Sequence, residues 1–163
     1  QKLIEAASKR TKKIRLIVQD IENEHNISAC LRSSEAFGIQ NVDIVTLKNQ
    51  EFKASTVAKG VAPWLTMKTH HSIASVSNQL KDEGYFLAAA MPSSQPTTLE
   101  NLPQDRPVAV IFGNEHSGVH EEWKQHIDTS FTIPMAGLVE SLNISNSVSI
   151  VCHYIDFYLK KNE

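Results

Sequence analysis

Glycine is scarce in this chain, and its placement rules out several common chemistries. None of the six glycines falls into G-x-G-x-x-G or G-x-x-x-x-G-K-S/T. That disfavours a classical dinucleotide site, a P-loop nucleotidase and the glycine-rich loop of Rossmann methyltransferases. A G-x-S-x-G nucleophile elbow is also missing. Only two cysteines occur, Cys30 and Cys152, with no Cys-x-x-Cys spacing. They argue against a structural zinc site and for a reducing compartment, so a cytoplasmic protein is expected. No apolar run approaches the roughly 20 residues of a membrane span, and no secretory signal opens the chain, so no membrane partner is expected. Neither sign of charge dominates: 16 Lys and Arg face 18 Asp and Glu, a net charge of −2. Bulk charge therefore permits a nucleic-acid partner without demanding one.

What is present is an alternation of strand and helix signals along 163 residues, a length that suits one main domain. Residues 2–12 read as a short polar helix, and residues 1–13 form a basic helical segment ahead of the domain at 14–163. Ile14 to Gln19 is a compact β-rich run. A helix then opens at Asn26 as N-cap and stops at Gly38. Ile27, Cys30, Leu31 and Ser34 form its buried face, with Ser28, Arg32 and Glu35 on the other side. Val42 to Leu47 completes a βαβ unit. Further along come a helix at 72–83 with Ile73, Val76 and Leu80 inward, then strands at Tyr85–Ala90 and Val108–Phe112. A short helix near 118–126, a strand at Phe131–Ile133 and a long last helix follow. Ile144, Val148, Val151, Ile155 and Tyr158 lie on one face of that helix. The pattern predicts an α/β fold with a mostly parallel sheet covered by helices on both faces.

Three segments carry more than fold. Asn26 to Gly38 places Arg32 on a helix just beyond the end of the first strand, where open α/β sheets bind ligands. In isolation, ordinary capping and a surface arginine explain it better. Ile111 to Gly118 runs a buried strand into two glycines around Glu115, or is simply a strand-to-helix turn. His116 and His120 have helical spacing but no third ligand, so no metal is expected. Phe131 to Ser149 breaks a strand at Pro134 and opens a helix with Ser141, Asn143, Ser145, Asn146, Ser147 and Ser149. So many residues that compete with the backbone for hydrogen bonds suggest partners in a ligand or a second subunit. Lys9, Arg10, Lys12, Lys13 and Arg15 cluster near the first strand, as a solvated face or a phosphate-binding one.

Taken together and in this order, the three segments resemble the signature motifs of the SpoU/TrmH family of the SPOUT superfamily. Asn26, Ala29, Arg32, Ser33, Ala36 and Gly38 resemble N-x-x-A-x-x-R-S/T-x-x-A-x-G. Gly113, Glu115 and Gly118 match G-x-E-x-x-G. Ile133-Pro134-Met135, Gly137 and Ser141-Leu142-Asn143-Ile144-Ser145 match the third motif. Residues 64–70 and 135–141 are most similar to the branch acting on the tRNA D-loop guanosine, with Asn146 and Ala89 departing from the usual residues.

The resemblance implies a ribose 2′-O-methyltransferase using S-adenosylmethionine, acting on tRNA or alternatively on 23S ribosomal RNA. It also implies a deep C-terminal trefoil knot and a homodimer. The positions it assigns to donor binding are Ala89, Gly113, Ile133, Met135 and Leu142. To the reaction it assigns Arg32, Glu115, Ser141, Asn143 and Asn26. Arg32 would act at a site completed by the other subunit. A guanidinium has no acceptor atom and a pKa above about 12, so phosphate binding and alkoxide stabilisation suit it better than proton abstraction. Lys9, Arg10, Lys12 and Lys13 are the expected RNA phosphate contacts. A knotted RNA-binding protein without catalysis, or a small-molecule α/β enzyme, are the other classes open to this sequence.

Overall fold

The computed structural model describes residues 2–48 and 60–161, with side chains to residue 158. A short helix α1 (Lys2–Ser8) leads into β1 (Thr11–Gln19), whose last six residues are all buried. Helix α2 (Glu24–Ala36), β2 (Ile39–Val45), β3 (Thr66–His70), α3 (Ile73–Asp82), β4 (Phe86–Ala90), β5 (Val108–Phe112), β6 (Thr129–Phe131) and α4 (Ile144–Lys161) follow. The six strands form one sheet in the order β3-β2-β1-β5-β4-β6, with every pair parallel. Among the described residues no helix is long and apolar enough to cross a membrane.

Side-chain alternation along the central strands builds two cores. Val108, Val110 and Phe112 of β5, with Ile14, Leu16 and Val18 of β1, pack under α2 and α4. Ala109 and Ile111 of β5, with Ile17 of β1 and Leu87 and Ala89 of β4, pack under α3 and Trp123. The expected buried faces are observed: Ile27, Cys30, Leu31 and Ser34 on α2, Ile73, Val76 and Leu80 on α3, and Ile144, Val148, Val151 and Ile155 on α4. Cys30 and Cys152 are free and buried, and burial pushes the Cys30 thiol up to about 12.

Several boundaries differ from the sequence reading. The N-cap of α2 is Asn23, three residues before the expected Asn26, because the Asn23 side chain accepts from the His25 amide at 2.9 Å. Asn26 lies inside the first turn, which frees its amide for other partners. The basic segment is not helical throughout: α1 ends at Ser8, and Lys12 and Lys13 stand at the start of β1. Arg15 is 5% exposed and belongs to a buried ion cluster rather than a surface patch. The helix expected near 118–126 is a single 3-10 turn, Glu121–Gln125, with Trp123 fully buried. The last strand is Thr129–Phe131, two residues earlier than expected, since its partner β4 ends at Ala90, opposite Phe131. Strand β3 has no signal in the sequence, because its side chains are mostly exposed and carry no apolar alternation.

The topology also decides where a ligand fits. From β1 the chain builds outward through β2 and β3, then crosses to β4, returns to β5 beside β1, and ends at the far edge in β6. The connections from β1 and β5 diverge to opposite faces, which opens a crevice at the carboxyl ends of these two strands.

Candidate functional site

Beyond β5 the backbone folds back on itself. The Asn114 amide donates to Gly118 O (3.0 Å) and the Gly118 amide to Asn114 O (2.9 Å), closing a tight loop over Glu115, His116 and Ser117. Asn114 Oδ1 accepts from the His116 and Ser117 amides (2.9 and 3.0 Å), and its Nδ2 donates to Asp20 O at 2.7 Å, tying the loop to the end of β1. A Cβ at Gly113 would meet the backbone of Gly118 and Val119 at 2.2 Å, so only glycine allows this closure.

At the tip of the loop, Glu115 grips the opposite wall. Its carboxylate accepts from the amides of Glu22 and Asn23 (both 3.2 Å) and from Asn26 Nδ2 (3.1 Å). Burial works against its charge, but the Asn26 bond and the backbone donors outweigh it and hold the carboxyl below its usual range. Glu115 is thus a fixed anion that aligns the start of α2.

Asn26 passes the connection on. Its Oδ1 accepts from Asn143 Nδ2 at 3.2 Å, while Asn143 Oδ1 accepts from Ser145 N (2.9 Å) and Ser145 Oγ (2.7 Å) at the start of α4. Further along, Ser149 Oγ bonds Ser145 O (2.9 Å) and lies 2.6 Å from Ser33 Oγ on α2. Part of the polar run therefore finds its partners within this chain. The three segments singled out in the sequence meet in one hydrogen-bonded chain, Glu115–Asn26–Asn143.

These groups wall a cavity of about 650 Å³ at the carboxyl ends of the strands. Glu22, Asn23 and Asn26 form one side, the Gly113–His116 loop another, and Ala90–Pro92 and Phe131–Ile133 the floor. Met135 and residues 140–144 complete the lining. Of the expected residues, Asn26, Gly113, Glu115, Ile133, Met135, Ser141, Leu142 and Asn143 line this space. Ala89 does not: its side chain packs in the α3 core, and its neighbour Ala90 takes the wall position, as pleat alternation requires.

Arg32 lies outside its own chain's cavity. It is exposed on α2 and makes no hydrogen bond or ion pair among the described residues. The basic residues are farther away, at the amino end of β1. There Lys9 pairs with Glu5 at 2.9 Å and Arg10 with Glu35 at 3.0 Å. Asn114, Asn23, Asp20 and His116 were missed as site builders. Asn114 and His116 sit inside the G-x-E-x-x-G motif, and Asp20 has a positive φ of 49° that no sequence pattern announced.

A parallel sheet with a polar-latched cavity at its switch point defines a ligand-binding α/β protein. Residues 13–153 match the family model described as the SpoU rRNA Methylase family, and the chain belongs to that family. It is 29% identical, over 94% of its length and 70% of the relative's, to a tRNA (guanosine(18)-2′-O)-methyltransferase of Borreliella burgdorferi. Its fold superposes on a tRNA modifying enzyme of A. aeolicus with a TM-score of 0.87 at 23% identity, covering 99% of this chain and 82% of that one. An AdoMet-bound rRNA methyltransferase from Sinorhizobium meliloti superposes with a TM-score of 0.79 at 16% identity, covering 93% and 58%.

Proposed function

We propose that this protein transfers a methyl group from S-adenosylmethionine to a ribose 2′-hydroxyl of RNA, with a tRNA D-loop guanosine as substrate. The observation that carries this reading is the Glu115–Asn26–Asn143 hydrogen-bond chain, which draws all three family motifs around one cavity. A volume of about 650 Å³ suits a ligand of nucleoside size. Apolar walls from Ile133, Met135 and Leu142, with Glu22, Glu115 and Glu140 among the lining, suit a flat base joined to a positively charged centre. The residues present fit the donor: Gly113, Ile133, Met135 and Leu142 would hold it, with Ala90 and Met91 lining the cavity next to the expected Ala89. When bound, it supplies an electrophilic methyl group.

The chain's own residues do the positioning. Glu115 stays ionised and holds the first turn of α2, so Asn26 and Asn143 keep the cavity walls in register. Arg32 binds phosphate and stabilises negative charge developing on the ribose oxygen. Its exposed position outside its own cavity accords with a site completed by a second copy. Homodimer formation belongs to the same proposal. It is supported by Ile150 and Phe157 on α4 and by Leu138 and Val139 before it, all apolar and exposed. We include the trefoil knot as well, because residues 132–143 leave the far edge of the sheet at β6 and must pass the carboxyl ends of β4 and β5 to reach α4 against α2. A cytoplasmic site of action completes the proposal, in keeping with two free buried cysteines.

RNA contacts through Lys9, Arg10, Lys12 and Lys13 would weaken with rising salt. Ribosomal RNA is the second reading, favoured by the description of the matching family model. Labelled methyl incorporation into tRNA and 23S rRNA transcripts, with the modified nucleotide mapped, decides between them. Incorporation at a tRNA D-loop ribose supports the first reading and incorporation only into ribosomal RNA supports the second. No incorporation into either, with the donor still bound in calorimetry, would favour an RNA-binding protein without catalysis.

A further inference from the structure

We propose that His116 is the proton acceptor for the ribose hydroxyl, an inference that rests on the methyl-transfer reading above. That reaction needs a base, because a neutral hydroxyl is a poor nucleophile and Arg32 has no lone pair to offer. Among the described residues, four titratable side chains line the cavity: Glu22, Glu115, His116 and Glu140. Glu115 is already engaged by three donors, and hydrogen bonds hold it below the usual carboxylate range despite burial. Glu22 is held down by its bond to Lys48 Nζ at 2.8 Å. Glu140 is exposed in the segment before α4. Carboxylates of this kind are weak bases near neutrality, whereas imidazole exchanges a proton there.

The backbone places His116 for this work. Its amide is pinned to Asn114 Oδ1 at 2.9 Å inside a loop closed at both ends, so the residue is fixed at the lip of the cavity. The imidazole makes no hydrogen bond among the described residues. Glu22 and Glu115 face it from the β1–α2 connection and its own loop, and Lys48 acts through Glu22. Glu140 lines the same cavity from the segment before α4. In the proposed step, the hydroxyl proton passes to an imidazole nitrogen as the ribose oxygen takes the methyl group. The new O–C bond forms, the C–S bond breaks with its electron pair left on sulfur, and the imidazolium later releases its proton to water.

The test is a pH–rate profile of methylation for the wild type, His116→Ala and His116→Gln on an unmodified tRNA transcript. Two accompanying readouts are S-adenosylmethionine affinity by calorimetry and the NMR titration of the His116 imidazole with and without RNA. Since the base must be neutral, the wild-type rate should rise with pH through the imidazole range. Both variants should lose that limb and fall about 10²–10⁴-fold near neutrality, with donor affinity unchanged and partial rescue of His116→Ala by added imidazole. RNA should shift the His116 titration. A wild type that methylates, with variants keeping the same pH limb and rate, overturns the role of His116 alone. A wild type that methylates no RNA overturns the methyl-transfer reading, and this step with it.

Discussion

Two polar networks sit within this fold, and the contrast between them separates structural charge from charge that faces a ligand. Under α3, Arg15 is paired with Asp43 through both carboxylate oxygens, with Glu83 at 2.9 Å, and His70 Nε2 lies 2.6 Å from Asp43. The Tyr85 ring covers the guanidinium at 5.6 Å. Asp43 is fully buried, and none of Arg15, Asp43, His70 and Glu83 lines the cavity at the carboxyl ends of the strands. At the carboxyl ends of the strands, Glu115, Asn26 and Asn143 form an equally connected chain, but around a space of about 650 Å³. Charge enclosed and saturated by its own chain has nothing left to recognise. Charge fixed at the wall of a cavity can act on what enters it.

The largest effect that sharpens this contrast is on stability. Asp43→Ala strands Arg15 without its buried partner and should cost about 3–5 kcal/mol in chemical denaturation. If the surviving folded fraction lost donor affinity, the separation of the two networks would be wrong. Next, Arg32→Ala should lower methylation about 10²–10³-fold with donor binding and folding unchanged, since Arg32 touches neither network. Near-normal turnover would remove it from the reaction.

How much of this was legible in the sequence differs between the two networks. The cavity network was visible because its residues fall into three motifs, and Asn26, Glu115 and Asn143 were all singled out. Their mutual bonds were not, because contacts spanning up to 117 positions are set by topology. The buried cluster is hidden in the sequence: Arg15 counts as one more cation in a basic run, and only the facing strand register, which brings Asp43 beside β1, takes it inside. Ala89 shows a related effect, its side chain buried in the α3 core while Ala90 lines the cavity. A motif position gives the residue, but pleat alternation decides which neighbour faces the cavity. The apolar faces of α2, α3 and α4 were read correctly, because their periodicity is local.

Smaller effects probe the cavity network itself. Asn26→Ala removes the bridge between Glu115 and Asn143. It should cost about 1–3 kcal/mol of stability and weaken donor binding, measured by urea titration and calorimetry. The smallest effect is in pH. Glu115 is held below its ordinary value, so its contribution is complete above the usual glutamate range near about 4.3 and drains away as pH falls through the lowered value. The gap in thermal midpoint between wild type and Glu115→Gln should therefore close in acid. A gap that persisted unchanged at low pH would show that the charge of Glu115 is not what holds α2.

One titration reaches the core of the account. Adding S-adenosylmethionine while following backbone amide resonances should shift Asn26, Gly113, Glu115 and Leu142 together and leave Arg15, Asp43 and His70 in place. Shifts gathered around the buried ion cluster, or no response at a saturating donor concentration, would contradict it.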